Sequence, residues 1–180
     1  MKTFIPFILS ILMCGSIIAQ SQPEPAEKIL KETIAKAKKE HKKAFIIFHA
    51  SWCTWCKKMD KSMNDEACKA LFDKNYVVNH IVVLESKGKE NLNNPGSMDM
   101  LKQYKGDKSG IPFWLIFDEN GKLITDSKLR AEGVLLDDTG TNVGCPSTDK
   151  EIADFIFKLK RTSKLNDADL EVISAVFKKK

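Results

Sequence analysis

The apolar run Phe45-Ile46-Ile47-Phe48 leads within a few residues into Cys53-Thr54-Trp55-Cys56, and this junction constrains the fold more than any other stretch. A short uninterrupted apolar run predicts a strand covered on both faces. Ala50-Ser51 ends it, and a helix-compatible segment follows. Residues three apart on a helix share a face at about 5–6 Å, a separation that a disulfide accepts. Cys53 and Cys56 are therefore placed to form and break a bond with little backbone movement.

The placement also predicts reactivity. Unpaired N–H groups and the positive dipole end of a helix start favour an anion, and thiols in this spacing have lowered pKa values. Cys53, nearest the helix start and expected to be the more exposed, is the candidate nucleophile. Cys56, one turn further in, is the candidate resolving thiol. Lys57 and Lys58 add positive charge nearby.

At 180 residues, the chain is long enough for one domain with a substantial core. Its 43% hydrophobic and 29% charged composition excludes a disordered chain. The formal charge of +5 draws on Lys178-Lys179-Lys180, read as a solvated tail. Basic residues do not interleave with aromatics in a patch, so nucleic acid is not an expected partner.

Residues 1–20 have the form of a targeting segment: Lys2, then an apolar stretch over 4–18, then Ala19 as a small residue at a cleavage point. The apolar stretch is short for a membrane span. A cleaved signal peptide is the favoured reading, an uncleaved anchor its rival and the chain's one expected route to a membrane. Cys14 suggests lipid attachment, but Met13 stands before it where a small residue is wanted. A periplasmic or secreted protein follows, in a compartment where disulfides persist. Residues 21–26 read as a linker and 27–180 as a single domain. The remaining cysteines are Cys53, Cys56, Cys68 and Cys145. Four cysteines allow three pairings; spacing favours Cys53 with Cys56, and Cys68 and Cys145 could pair or stay free. Cys68 reads most simply as a small buried hydrophobe.

Helical periodicity over 27–41 is followed by the strand over 44–48, the dithiol helix to about Met63, and a helix over 66–73. A strand over 76–84 contains His80, read as structural. A short helix over 97–104 precedes Gly110-Ile111-Pro112-Phe113-Trp114, a strand opening at a proline where a missing N–H is tolerated. Asp118-Glu119-Asn120-Gly121 marks a hairpin turn, returning over 122–125. Residues 127–146 are Gly- and Asp-rich, a loop of unusual length. Thr148 and Glu151 form a capping box for a helix to about Arg161, and Asn166 or Asp167 caps a last helix through Phe177. The expected fold class is α/β: a mixed central sheet, helices on both faces, and extra N- and C-terminal helices.

Trp52-Cys53-Thr54-Trp55-Cys56-Lys57 at a strand end, with Gly110-Ile111-Pro112 opening a later strand, resembles the thioredoxin superfamily. The fuller stretch from Ala50 to Met59 resembles exported thioredoxin-like proteins of bacterial envelopes. The resemblance spans roughly 44–159. It implies a thioredoxin-like fold, a cis Ile111–Pro112 bond lying against the dithiol, and strand addition of an extended substrate along Ile111. It also implies Cys53 and Cys56 as catalytic residues, with Trp52, Trp55, Ile111 and Pro112 contacting substrate. The sequence departs from the family at Ile47, where cytoplasmic members bury an acid that assists the second thiol. His49 and Glu85 are the substitutes that the inferred fold brings near.

The leading function is therefore thiol–disulfide exchange on protein disulfides outside the cytoplasm, favouring reduction or isomerisation. It requires no cofactor; its partners are protein thiols or disulfides and a redox partner protein. The alternative from another class is binding or delivery of a soft ion such as Cu(I) by the two thiolates. A zinc site would need two further ligands, and no metal site is expected. A haem-attachment motif would carry His where Lys57 stands.

Overall fold

The computed structural model describes residues 22–131, 136 and 140–179. The targeting segment expected over 1–20, with Cys14 and the cleavage point near Ala19, lies outside them. Among the described residues no helix is long and apolar enough to cross a membrane.

Strand β1 (Lys43–His49) carries the apolar run. It pairs in parallel with β2 (Tyr76–Val82) on one side and antiparallel with β3 (Phe113–Phe117) on the other. β3 then pairs antiparallel with β4 (Leu123–Asp126), giving the order β2-β1-β3-β4. The uninterrupted apolar runs are the two central strands. The five inner residues of β1 and all five of β3 are buried, as expected for strands covered on both faces.

Alternation along β1 divides the core into two layers. Phe45 and Ile47 face Met59 and Met63 of α2 (Thr54–Met63), Cys68 and Phe72 around α3 (Lys69–Asn75), and the C-terminal helices. Ala44, Ile46 and Phe48 face α1 (Ala26–Lys39) and α4 (Ser97–Gln103). Helices α5 (Asp149–Thr162) and α6 (Asp167–Lys178) pack on the first layer through Phe155 and Phe177, whose rings lie 5.0 Å apart. α5 opens with the expected capping box of Thr148 and Glu151, and at α6 the structure chooses Asn166 as the cap and adds a reciprocal bond with Asp169. Tyr76 is hydrogen-bonded to Thr162 at 2.7 Å inside this layer, joining β2 to the end of α5.

β2 lies at one end of the sheet, and side chains take two of its N–H groups. His80 N–H donates to Asn79 Oδ1 at 2.9 Å, and Val82 N–H to Asn94 Oδ1 at 2.6 Å. The stretch 127–146, read from sequence as one long loop, instead contains a small antiparallel pair. Its strands are β5 (Lys128–Leu129) and β6 (Thr141–Asn142). Two-residue strands carry no alternation to detect. Partly buried polar contacts flank β5: Arg130 makes a two-pronged contact with Asp126 at 2.7 and 2.8 Å, and Lys158 donates to the Lys128 carbonyl.

Candidate active site

β1 ends at His49, and the chain turns through Ala50-Ser51-Trp52 into α2. Cys53 is the N-cap of that helix, with extended backbone, and its sulfur accepts the Cys56 N–H at 3.1 Å. An N-cap side chain normally offers oxygen to these N–H groups; here a sulfur stands in the same position. Cys53 and Cys56 form a disulfide with Cα atoms 5.3 Å apart. The first turn of α2 contains no acid, so nothing there offsets its positive end.

The expected difference in exposure is absent: Cys53 and Cys56 are each only 2% exposed. The reason is Ile111, which packs on the small cluster of Ala50, Cys53 and Cys56. The Ile111–Pro112 bond is cis. The Ile111 carbonyl oxygen lies 3.6 Å from Cys53 Sγ. In the disulfide that sulfur has no proton, so this is a contact; as a thiol, Cys53 could donate to the same oxygen. The two neighbours therefore favour opposite protonation states, the Cys56 N–H the thiolate and the Ile111 carbonyl the thiol.

The tryptophans frame this pair and stay half exposed, Trp52 at 53% and Trp55 at 50%. Trp52 Nε1 donates to the Leu84 carbonyl at 2.8 Å. The Lys58 ammonium sits 4.9 Å from the centre of the Trp55 ring. Beside Trp55 a cleft of about 260 Å³ is walled by Ile111, Pro112, Gly144 and Cys145.

The two proposed substitutes for the missing acid occupy different positions. Glu85 is engaged by Ser51, accepting its N–H at 2.5 Å and its hydroxyl at 2.7 Å. His49 lies on the same face of β1 as Ile47, the face that α2 covers. Its ring lies 4.9 Å from that of His80, and His80 Nε2 is paired with Asp60 Oδ1 of α2 at 2.8 Å. Burial and the neighbouring His80 push the His49 pKa below the usual histidine value. A neutral imidazole at that point can accept a proton.

Cys68 and Cys145 are both free and buried. Burial pushes each thiol up to about 11. Among the described residues no group of three or more His, Cys, Asp or Glu gathers as a metal would need.

Sequence reasoning missed Asn142. Its amide nitrogen donates to the carbonyls of Ser109, Gly110 and Pro112 at 3.0, 3.1 and 3.1 Å. Its amide oxygen accepts the Ser127 hydroxyl at 2.6 Å and the Gly144 N–H at 3.2 Å. All of these partners except Gly144 are 15 or more positions away, so no local pattern marks the residue.

The sequence profile of the thioredoxin-like family matches residues 26–119, which include the dithiol and the cis-proline. Among solved structures, a disulphide isomerase from Xylella fastidiosa Temecula1 is similar at 26% identity and a TM-score of 0.52. The match covers 75% of this chain and 91% of that one. A DsbH oxidoreductase is similar at 19% identity and a TM-score of 0.44, covering 91% and 96%. The C-terminal domain of DsbD from Neisseria meningitidis, in its oxidised form, is similar at 24% identity and a TM-score of 0.40, covering 58% and 84%. No curated protein matches the chain.

Proposed function

As the chain belongs to the thioredoxin-like family and carries its dithiol pair, it is a thiol–disulfide oxidoreductase, and we infer that it reduces or isomerises protein disulfides outside the cytoplasm. The observation that carries this reading is Cys53 at the N-cap of α2, bonded to Cys56 and facing the cis Ile111–Pro112 segment.

In the reducing direction the dithiol form acts. The Cys53 thiolate attacks one sulfur of a substrate disulfide; a mixed disulfide forms and one substrate thiolate leaves. Cys56 loses its proton and its thiolate attacks Cys53 Sγ. The Cys53–Cys56 bond closes, and the second substrate thiolate leaves and takes up a proton. Two electrons pass from protein to substrate, and a dithiol redox partner must return them. Trp52, Trp55, Ile111 and Pro112 form the substrate-facing surface.

The direction draws support from the similarity to the disulphide isomerase from Xylella fastidiosa. The compartment draws support from the apolar segment at the start of the sequence. The test is reduction of insulin disulfides by the wild type, Cys53→Ser and Cys56→Ser. Turnover should vanish in the first variant, and the second should accumulate a mixed disulfide through Cys53. Turnover that survives Cys53→Ser would overturn the mechanism. A mature N-terminus just after Ala19 in an exported fraction would support the compartment, and an intact Met1 in the cytoplasmic fraction would refute it.

A further inference from the structure

The turn around the cis-proline directs its carbonyls two ways. Those of Ser109, Gly110 and Pro112 converge on one point, and that of Ile111 points to Cys53 Sγ. Three acceptors converging in one place repel one another unless a donor sits between them, and the Asn142 amide is that donor. Two N–H hydrogens serve three oxygens, so one is shared. The amide can face only one way. Reversed, its oxygen would meet three carbonyls, and its nitrogen would meet the Gly144 N–H.

The clamp has a backing. Ser127 N–H donates to the Trp114 carbonyl, Trp114 N–H donates to Ser127 Oγ at 3.2 Å, and the hydroxyl passes on to Asn142. The Trp114 indole donates to the Gly144 carbonyl at 2.8 Å. Asn142 thus joins the segment before β3 to the segment before α5, across the wall of the cleft beside Trp55.

We propose that Asn142 is a positioning residue for disulfide exchange: by pinning three carbonyls of the 109–112 turn it aims the fourth, Ile111, at Cys53 and fixes the backbone edge that a polypeptide substrate pairs with. This rests on the oxidoreductase reading for its consequence in turnover, though not for its geometry. Small disulfides that reach Cys53 without pairing to Ile111 depend on the turn far less than polypeptides do.

The experiment compares wild type, Asn142→Ala and Asn142→Asp on insulin and on hydroxyethyl disulfide. Backbone amide NMR shifts are recorded for the same proteins. Tyr76→Phe, remote from the dithiol, serves as a control for lost stability. Asn142→Ala should raise KM for insulin on the order of tenfold, with kcat/KM for the small disulfide changed less than about twofold. Asn142→Asp, which sets a carboxylate against three carbonyls, should do at least as much. In both variants amide shifts should concentrate in 109–113 and 142–145. Equal loss on both substrates, a loss matched by Tyr76→Phe, or unmoved amides at 109–113 would overturn the proposal. If the wild type turns over neither substrate, the oxidoreductase reading fails, and the amide shifts still decide whether Asn142 holds the turn.

Discussion

The carboxylate of Glu85 grips Ser51 twice, through its backbone N–H at 2.5 Å and its hydroxyl at 2.7 Å. The neighbouring residues repeat the link, since the Trp52 indole donates to the Leu84 carbonyl. The turn into α2 is therefore tied to the end of β2 on one side of the dithiol, as Asn142 ties the cis-proline turn on the other. Leu84 adopts φ 58°, a left-handed conformation uncommon for a leucine. These contacts hold it there.

Glu85→Ala should cost about 1.5–3 kcal/mol of stability at neutral pH, the range for hydrogen bonds to a charged group. Burial alone would raise the Glu85 carboxyl pKa, but the Ser51 N–H and hydroxyl, with Lys89 nearby, outweigh it and leave the value below 4.5. A carboxyl lowered in the folded state stabilises above its unfolded pKa, and that contribution fades as pH falls through the folded one. Urea unfolding should therefore show the gap between wild type and Glu85→Gln narrowing below 4.5. A gap independent of pH would show that the charge is not what matters.

His49 has the opposite dependence. Its pKa is lowered by burial first and by His80 second, with Asp60 and Glu85 opposing. Because the unfolded chain binds the proton more tightly, stability should fall as pH drops through 6.5 toward the lower folded value. His49→Gln should flatten that slope on the acid side of 6.5. If Cys56 uses the His49 imidazole as its proton acceptor, the same variant slows release of the mixed disulfide, read by single-turnover quenching.

Cys68 and Cys145, with thiols pushed up to about 11, should resist alkylation in the folded, reduced protein at neutral pH. Cys53 should react first. Mass mapping after a short iodoacetamide pulse checks this, and denaturant should open both buried sites. Modification of Cys145 as fast as Cys53 would show the cleft wall opening in solution.

Gly144 has φ +60°, and a Cβ added there would lie 2.6 Å from the Pro112 carbonyl oxygen. Gly144→Ala should therefore cost more than the roughly 1 kcal/mol of left-handed strain alone. The Pro112 backbone must move, so insulin turnover should fall further than overall stability accounts for. Thermal melts paired with initial rates separate the two effects.

Where a structural cause lies within a few consecutive residues, the sequence announces it. The strand–turn–helix around Cys53, the capping box at Thr148, and the hairpin turn at Gly121 are all of this kind. The cis bond at Ile111–Pro112 was accessible through family resemblance, since local sequence does not choose the isomer. Glu85 and Asn142 were not legible as braces, because their partners are brought together by the sheet rather than by spacing. The low exposure of Cys53 is not legible for the same reason: Ile111, which covers it, comes from the turn before β3, 58 positions later.

The open border of a sheet is a template on which a strand of another chain can zip up. On β2 two of the donors that such pairing would recruit are already satisfied by Asn79 and Asn94. With these two N–H groups taken, the β2 border has fewer open donors for a strand from another chain to recruit.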